Sequence, residues 1–406
     1  MKIGLIKETK TPVDNRVALT PVQVSELNRL YPQHRIVVES SNIRAYSDEE
    51  YSHCGVEVVK DLSDCDILFG IKEAKIETLI PNKHYFFFGH IAKKQEYNRP
   101  LLQAMLYKKL TFSDYEYLVD NNNQRVCAFG WWAGAVGVYY SLRGYCLRFK
   151  DMGNLLPKPD VSFTLENLIN SLKIIKLPNV KILITGAGRV SHGAQYVLNA
   201  IGAKYMDEEE FLLTDKVDKI SYTVAGVESL VKRNDEGGGR FDSDNFHSNP
   251  QRYSSDFMRW GKATDLLICA HYWDSDAPVY LSEADLRNPE LRIRMIGDVT
   301  CDIKGSIKST IRPSTHLDPY YDYNPMTEKE EIAFSNENNI TVMAVDTCPN
   351  ALPRDTSKYF GEMLIEHVFK PLLEERYSEV IDRSTIIRGG KLTERFSYLK
   401  EFADGQ

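Results

Sequence analysis

Cysteine is scarce and scattered: seven residues in 406, with no C-x-x-C pair and no His/Cys spacing that suits a metal. That excludes a disulfide framework and a structural zinc site, and reads as reduced thiols in a cytoplasmic protein. Long apolar runs are missing too. The longest, Phe129 to Leu142, is too short and too glycine-rich to span a bilayer. Positive charge is not in excess. Lys and Arg number 50 against 57 Asp and Glu, a formal charge of −7 with both signs interspersed, which argues against a nucleic-acid surface. No repeat or low-complexity tract occurs. The first residues, Met1 to Glu8, read as a charged strand and not as a signal peptide. What remains is a chain with 43% apolar residues, long enough for two domains, expected as a monomer or small homo-oligomer.

Strands read at 2–6, 35–39, 56–59, 66–71 and 84–88. Helical patterns lie between them, notably Thr20 to Leu30, which opens on a capping threonine and a first-turn proline. Such alternation predicts an α/β fold with a parallel sheet. A second set starts at Val180. Val180 to Thr185 is a buried-strand run, followed at once by Gly186, Gly188 and Gly193 and then a helix. Strand, glycine turn and helix N-terminus make an anion site, as in dinucleotide folds. The turn is G-x-G-x-x-S, with its third glycine two positions late, so a purely structural tight turn is the competing reading. Asp207 lies near the distance expected for an acid on the ribose hydroxyls. Between 226 and 256 the sequence is polar and holds Glu236-Gly-Gly-Gly-Arg240, which predicts a surface excursion. Arg125 to Gly137 reads as a small-residue helix where the chain crosses between domains. A long helix is expected from Ser357 to Glu375.

Several segments, spread in order, carry a resemblance. Lys7-Glu-Thr-Lys10 with Asn15-Arg-Val-Ala-Leu-Thr-Pro21 resembles the opening of the alanine dehydrogenase and transhydrogenase superfamily. Gly70-Ile-Lys-Glu73, Phe88-Gly-His90, Asp114-Tyr-Glu116, Arg125-Val-Cys-Ala-Phe-Gly130, Gly297-Asp-Val-Thr-Cys-Asp302 and Val345-Asp-Thr-Cys-Pro-Asn-Ala-Leu-Pro-Arg354 are similar to its lysine-forming saccharopine dehydrogenase branch. The resemblance implies two Rossmann-like domains with a cleft between them. Residues 1–137 and 350–406 would form the substrate domain, completed by the C-terminal helix, and 138–349 the dinucleotide domain. It implies an NAD-dependent oxidoreductase acting on an adduct of an amino acid and a 2-oxo acid. An alanine dehydrogenase-like enzyme, or a bilobed binding protein without the redox step, are the alternatives.

Residue roles follow. Lys72 and His90, each just past a strand, match the family's acid–base pair; a solvated or capping residue is the bland reading of either. Arg16 and Arg125 match positions that hold substrate carboxylates, against an ordinary ion pair. Glu73 and Glu116 match acids beside the pair, against partners of an arginine. Cofactor contacts are expected from Gly186, Gly188, Arg189, Val190 and Asp207. The nicotinamide end is expected near Ala270, His271, Asp346 and Thr347. Asp298 is read as structural, and no metal is called for.

Overall fold

The computed structural model describes residues 1–149, 155–234 and 241–405. It forms two compact units, one joining Met1–Phe129 to the segment from Leu352 onward, the other Gly130–Ala351. The division falls before 137 because the small-residue helix starts at Gly130. The preceding residues pair backwards instead, with Val126 N–H donating to Leu118 O at 2.8 Å.

In the first unit, strands β1 (Lys2–Leu5), β2 (Arg35–Glu39), β3 (Val58–Val59), β4 (Ile67–Phe69), β5 (His84–Phe87) and β6 (Thr111–Asp114) form a parallel sheet in the order β3-β2-β1-β4-β5-β6. The C-terminal hairpin Thr385–Arg388/Lys391–Leu392 adds antiparallel beyond β6. Alternate residues of one strand feed opposite cores: Phe69 and Phe86 face one side, Leu68, Tyr85 and Phe87 the other. That double burial explains the continuous apolar runs. The helix α1 (Pro21–Leu30) begins in a capping box, Thr20 N–H donating to Gln23 Oε1 at 2.9 Å. Two further helices, α2 (Asp48–His53) and α3 (Arg99–Tyr107), complete the alternation. The expected C-terminal helix is Pro353–Leu364, carried through a π turn, Ile365–Phe369, into Lys370–Leu373. It buries Phe360, Leu364, Val368 and Phe369 against the sheet, with the Phe69 and Phe369 rings stacked at 4.4 Å. The termini of this unit are thus one hydrophobic core.

The second unit opens with α4 (Gly130–Arg148) and α5 (Leu165–Lys173). Its strands are β7 (Lys181–Thr185), β8 (Lys204–Tyr205), β9 (Ser221–Ala225), β10 (Val231–Arg233), β11 (Tyr253–Ser255), β12 (Leu266–Cys269), β13 (Met295–Asp298), β14 (Tyr321–Asn324), β15 (Lys329–Glu331) and β16 (Ile340–Met343). The main sheet runs β8-β9-β7-β12-β13-β16-β14-β15, parallel except for β14 and β15. The helices α6 (Arg189–Ala200) and α7 (Glu208–Leu213) follow β7 and β8. Helices α4 and α6 touch through backbone: Gly134 lies on the Val190 carbonyl and Gly193 on the Trp131 carbonyl.

Two expectations do not hold. The stretch 226–256 is not a mere surface excursion. Its described part pairs β10 with β11 and buries Leu230, Val231, Phe246 and Tyr253. Its apolar residues are too widely spaced to show a local period. Glu236 to Arg240 lie outside the described residues. The helix expected to follow Gly193 starts at Arg189, directly on the glycine turn.

Candidate functional site

In the first unit, the carboxyl ends of four neighbouring strands carry the candidate site residues. β1 is followed by Glu8, Lys10, Asp14 and Arg16; β4 by Lys72 and Glu73; β5 by Gly89 and His90; and β6 ends at Asp114, just before Glu116. This is the edge where open parallel sheets bind ligands, at the point where the strand order reverses. Side-chain contacts link these segments. Lys10 Nζ lies 2.7 Å from Glu73 Oε2, while Glu73 Oε1 lies 3.9 Å from His90 Nε2. His90 Nδ1 is 3.6 Å from Glu116 Oε2, and Glu116 Oε1 is 3.3 Å from both Lys93 Nζ and Arg125 Nη2. Arg16 makes a buried two-point pair with Asp14, at 2.9 and 2.6 Å, beneath the Phe129 ring. Glu73, His90, Glu116 and Arg125 are thus brought together, and the Lys72 charge is felt by Arg16, Lys10, Asp14 and Glu73. Arg16 sits deeper, committed to Asp14.

Backbone placement is tightly specified. Glu8 is buried, and its two oxygens accept the N–H groups of Ile71 (2.7 Å) and Lys72 (2.9 Å). Asp114, also buried, accepts the N–H groups of Gly89 (3.1 Å) and Glu116 (2.9 Å). His90 adopts a left-handed conformation, φ 52°, which costs a non-glycine residue about 1 kcal/mol. Gly89 permits the close approach that holds it, because a Cβ there would press into the Phe112 ring at 2.6 Å and Asp114 Oδ2 at 3.2 Å. Strain of this kind persists where surroundings over-determine it, typically at working sites.

The charges are poised unequally. Burial, then the Arg16 and Lys10 cations, lower the Lys72 ammonium from its ordinary range, against Asp14 and Glu73. Burial and Asp14 push the Glu8 carboxyl up to about 8. Burial and Glu116 push Asp114 up to about 7. Burial also raises Glu116, yet His90, Lys93 and Arg125 outweigh it and bring the carboxyl down to about 2. Asp14 is likewise raised by burial and lowered further by Arg16, ending below its usual value. Neighbouring acids pushed apart in this way divide proton-holding from charge-holding roles. Sequence reasoning missed Glu8, Asp14 and Asp114. Glu8 and Asp114 stand inside segments that carry the resemblance and Asp14 beside one, but a buried acid bonded to backbone N–H groups leaves no mark in composition or spacing.

In the second unit, Gly186 has φ +84°, and a Cβ there would meet His271 Cα at 2.7 Å and Ala270 O at 3.0 Å. Only glycine makes that turn beside β12. Gly188 caps α6 and faces open space, with nothing within 4 Å of where a Cβ would stand. The first turn of α6 points its N–H groups outward past the glycine turn, as at any helix N-terminus. A dinucleotide's pyrophosphate fits this cradle. Gly193 is a packing glycine, buried against α4. His271 is held at both ring nitrogens, by Thr185 Oγ1 (2.6 Å) and Ser306 Oγ (2.8 Å), and burial brings it down to about 4. Asp346 is exposed just after β16, and the Thr347 carbonyl accepts His316 Nε2 at 3.0 Å. Asp298 is buried among Thr300, Cys301 and Thr310 donors, in a structural role. Asp207 does not end the strand beside the glycine turn. It follows the outermost strand β8 and caps α7, accepting Glu210 N–H at 2.8 Å. Among the described residues no group of three or more His, Cys, Asp or Glu is arranged to hold a metal. No helix among them is long and apolar enough to cross a membrane.

Residues 4–136 match the family model of the alanine dehydrogenase/PNT N-terminal domain. Saccharopine dehydrogenase (NAD(+), L-lysine-forming) of Candida glabrata is 26% identical over 409 residues, covering 96% of this chain and 95% of that protein. Over nearly its whole length the chain is thus similar to a saccharopine dehydrogenase, and residues 4–136 match the alanine dehydrogenase/PNT N-terminal domain. Mitochondrial α-aminoadipic semialdehyde synthase of Mus musculus is 27% identical over 452 residues, covering all of this chain and 48% of that protein. The chain therefore spans about half the length of the first curated relatives it matches. Among solved structures, an L-alanine dehydrogenase superposes with a TM-score of 0.65 at 16% identity, covering 100% of this chain and 99% of that one. A transhydrogenase from Sinorhizobium meliloti gives 0.61 at 14%, covering 97% and 100%. The superfamily fold, two Rossmann-like halves, is the fold seen here.

Proposed function

We propose that this protein is an NAD-dependent oxidoreductase that cleaves the CH–NH bond of an amino-acid/keto-acid adduct: saccharopine, NAD and water giving lysine, 2-oxoglutarate and NADH. The observation that carries the reading is the Glu73–His90–Glu116 cluster at the strand ends of the first unit, with the buried Lys72 ammonium beside Glu73. The glycine cradle on α6 supports the cofactor. Gly186, Gly188 and the first turn of α6 would hold the pyrophosphate. Bound there, NAD would supply a hydride acceptor for the carbon that carries the secondary amine.

The chain's own residues do the proton work. A secondary amine gives up its proton before its carbon is oxidised. Lys72, whose charged form is disfavoured by burial and by Arg16, takes that proton. His90 takes a proton from the water that adds to the resulting C=N bond and returns one to the departing lysine nitrogen. Glu73 and Glu116 flank the imidazole and balance the surrounding cations. The half-exposed Arg125, with Lys93 beside the same acid, recognises substrate carboxylate. Arg16, buried on Asp14, acts on the Lys72 charge more than on substrate.

The test is NADH oxidation in the reverse direction, with lysine and 2-oxoglutarate supplied together. Turnover that needs both supports the reading. Turnover with pyruvate and ammonia instead assigns the alanine dehydrogenase reaction, and no turnover with binding of NADH leaves a bilobed binding protein.

A further inference from the structure

The acid that reads the adenosine ribose has to reach the glycine turn, and strand order decides which acid does. In this sheet β9, not β8, lies beside β7, with Thr185 opposite Ala225. Gly186 N–H donates to Ala225 O at 2.7 Å, so the carboxyl end of β9 abuts the turn directly. β8 lies one strand further out, paired to β9 only through Lys204–Ser221 and Tyr205–Tyr222. Asp207 is therefore two strand spacings from β7, about 10 Å, and one of its oxygens is spent on the α7 cap.

At the end of β9 the chain reads Ala225-Gly226-Val227-Glu228-Ser229. Gly226 has no side chain to offer. Both carboxylate oxygens of Glu228 fold back onto the very place a Gly226 side chain would occupy. Glu228 is exposed, so this carboxylate meets solvent beside the turn. A second acid stands close by: Glu208 accepts the Ser229 hydroxyl on both oxygens at 2.7 Å. The nearby guanidinium of Arg259 is engaged by Ser229 O at 2.8 Å and by Asp256 Oδ2 at 2.9 Å.

We propose that Glu228, projecting back over Gly226, is the carboxylate that receives the adenosine ribose hydroxyls, and that it selects NAD over NADP. A carboxylate accepts two hydroxyl protons, whereas a 2′-phosphate would bring two negative charges onto Glu228 and Glu208. This rests on the dinucleotide reading above and names its specificity residue.

Calorimetric binding of NADH and NADPH to the full chain tests it, in the wild type and in Glu228→Gln, Glu228→Arg and Asp207→Asn. The wild type should prefer NADH. Glu228→Gln should weaken NADH about tenfold, and Glu228→Arg should shift the NADH/NADPH ratio further toward NADPH. Asp207→Asn, which keeps the helix cap, should change neither affinity. A wild type that prefers NADPH, or Glu228 variants with an unchanged ratio, overturns the assignment while leaving the dinucleotide site standing. A wild type that binds neither nucleotide overturns the dinucleotide reading itself.

Discussion

Two glycines of one motif are expected to respond in opposite ways. A Cβ on Gly193 would overlap the Trp131 carbonyl oxygen and lie 2.7 Å from its carbon and 3.1 Å from Ala135 N, where ordinary contact is 3.4–4 Å. Every atom met is backbone of α4, so no side chain can swing aside. The helices must separate, at an overpacking cost of about 3 kcal/mol, the upper end of the usual range. Alanine recovers about 1 kcal/mol over glycine inside a helix. Gly193→Ala should therefore destabilise the second unit by about 2 kcal/mol. Gly188→Ala meets nothing within 4 Å and keeps an ordinary extended conformation, φ −86° and ψ −167°. Its fold should lose less than about 1 kcal/mol, the weaker alanine cap, while the methyl stands where pyrophosphate must approach. Urea unfolding followed by tryptophan fluorescence reads the right unit, because Trp131, Trp132, Trp260 and Trp273 all lie in it. NADH calorimetry supplies the other axis. Equal unfolding midpoints for wild type and Gly193→Ala, or unchanged NADH affinity in Gly188→Ala, would refute the separation of packing glycine from cradle glycine.

Glu116 is folded with its carboxyl at about 2 against an ordinary 4.5, so its contribution is whole above about 4.5 and is lost as pH falls toward 2. That contribution is of the order of 3 kcal/mol. Glu116→Gln should be less stable than wild type at pH 6 and converge on it only near pH 2, as read by hydrogen exchange of the peptides around Gly89 and Asp114. Parallel curves would count against the ion network. Lys72→Met and His90→Gln should each lower turnover by about 10²–10⁴-fold, with the double variant losing less than the product. Each single variant should lose one limb of the pH–rate profile, and full turnover in either would end the acid–base assignment. A chain cut after Asn350 loses Phe360, Leu364, Val368 and Phe369 from the first core, together with the strand Thr385–Arg388 beside β6. It should aggregate, and a soluble, cooperatively folding product would contradict the shared core.

Legibility followed periodicity. Strands buried on both faces, such as Ile67–Phe69, Tyr85–Phe87 and Ile182–Ile184, announce themselves as apolar runs, and α1 is announced by Thr20, Pro21 and Gln23. Site residues just past such strands lie where the strand ends put them, so Lys72, His90 and Glu116 do share one edge. What the chain hides is order in space. Ser221-Tyr-Thr-Val-Ala225 is a clear β-branched run before a glycine, yet nothing in sequence says that it outranks β8 as neighbour of β7. On our proposal, that choice moves the ribose acid from Asp207 to Glu228. The C-terminal strand Thr385–Arg388 is hidden for a related reason: it is short, and its partner β6 lies some 270 residues earlier, Thr385 pairing with Ser113.

The first unit places the two residues proposed to move protons by one arrangement used twice. Lys72 follows β4 and His90 follows β5, and loops past strand ends are ordinarily free to drift. Here each is pinned from behind by a buried carboxyl that accepts two backbone N–H bonds, Glu8 for Lys72 and Asp114 for the Gly89–His90 turn. Burial raises both carboxyls toward neutrality, and a neighbouring ionised acid, Asp14 or Glu116, raises each further. Those neighbours stay ionised because Arg16, or His90 with Lys93 and Arg125, holds them so. Lys72 and His90 therefore each sit on a pair of acids, one raised to near neutral pH and one firmly charged. Burial, Arg16 and Lys10 disfavour the charged form of Lys72, and Asp14 and Glu73 oppose them. That balance is what a group needs if it is to take a proton from an amine and release it again within one turnover.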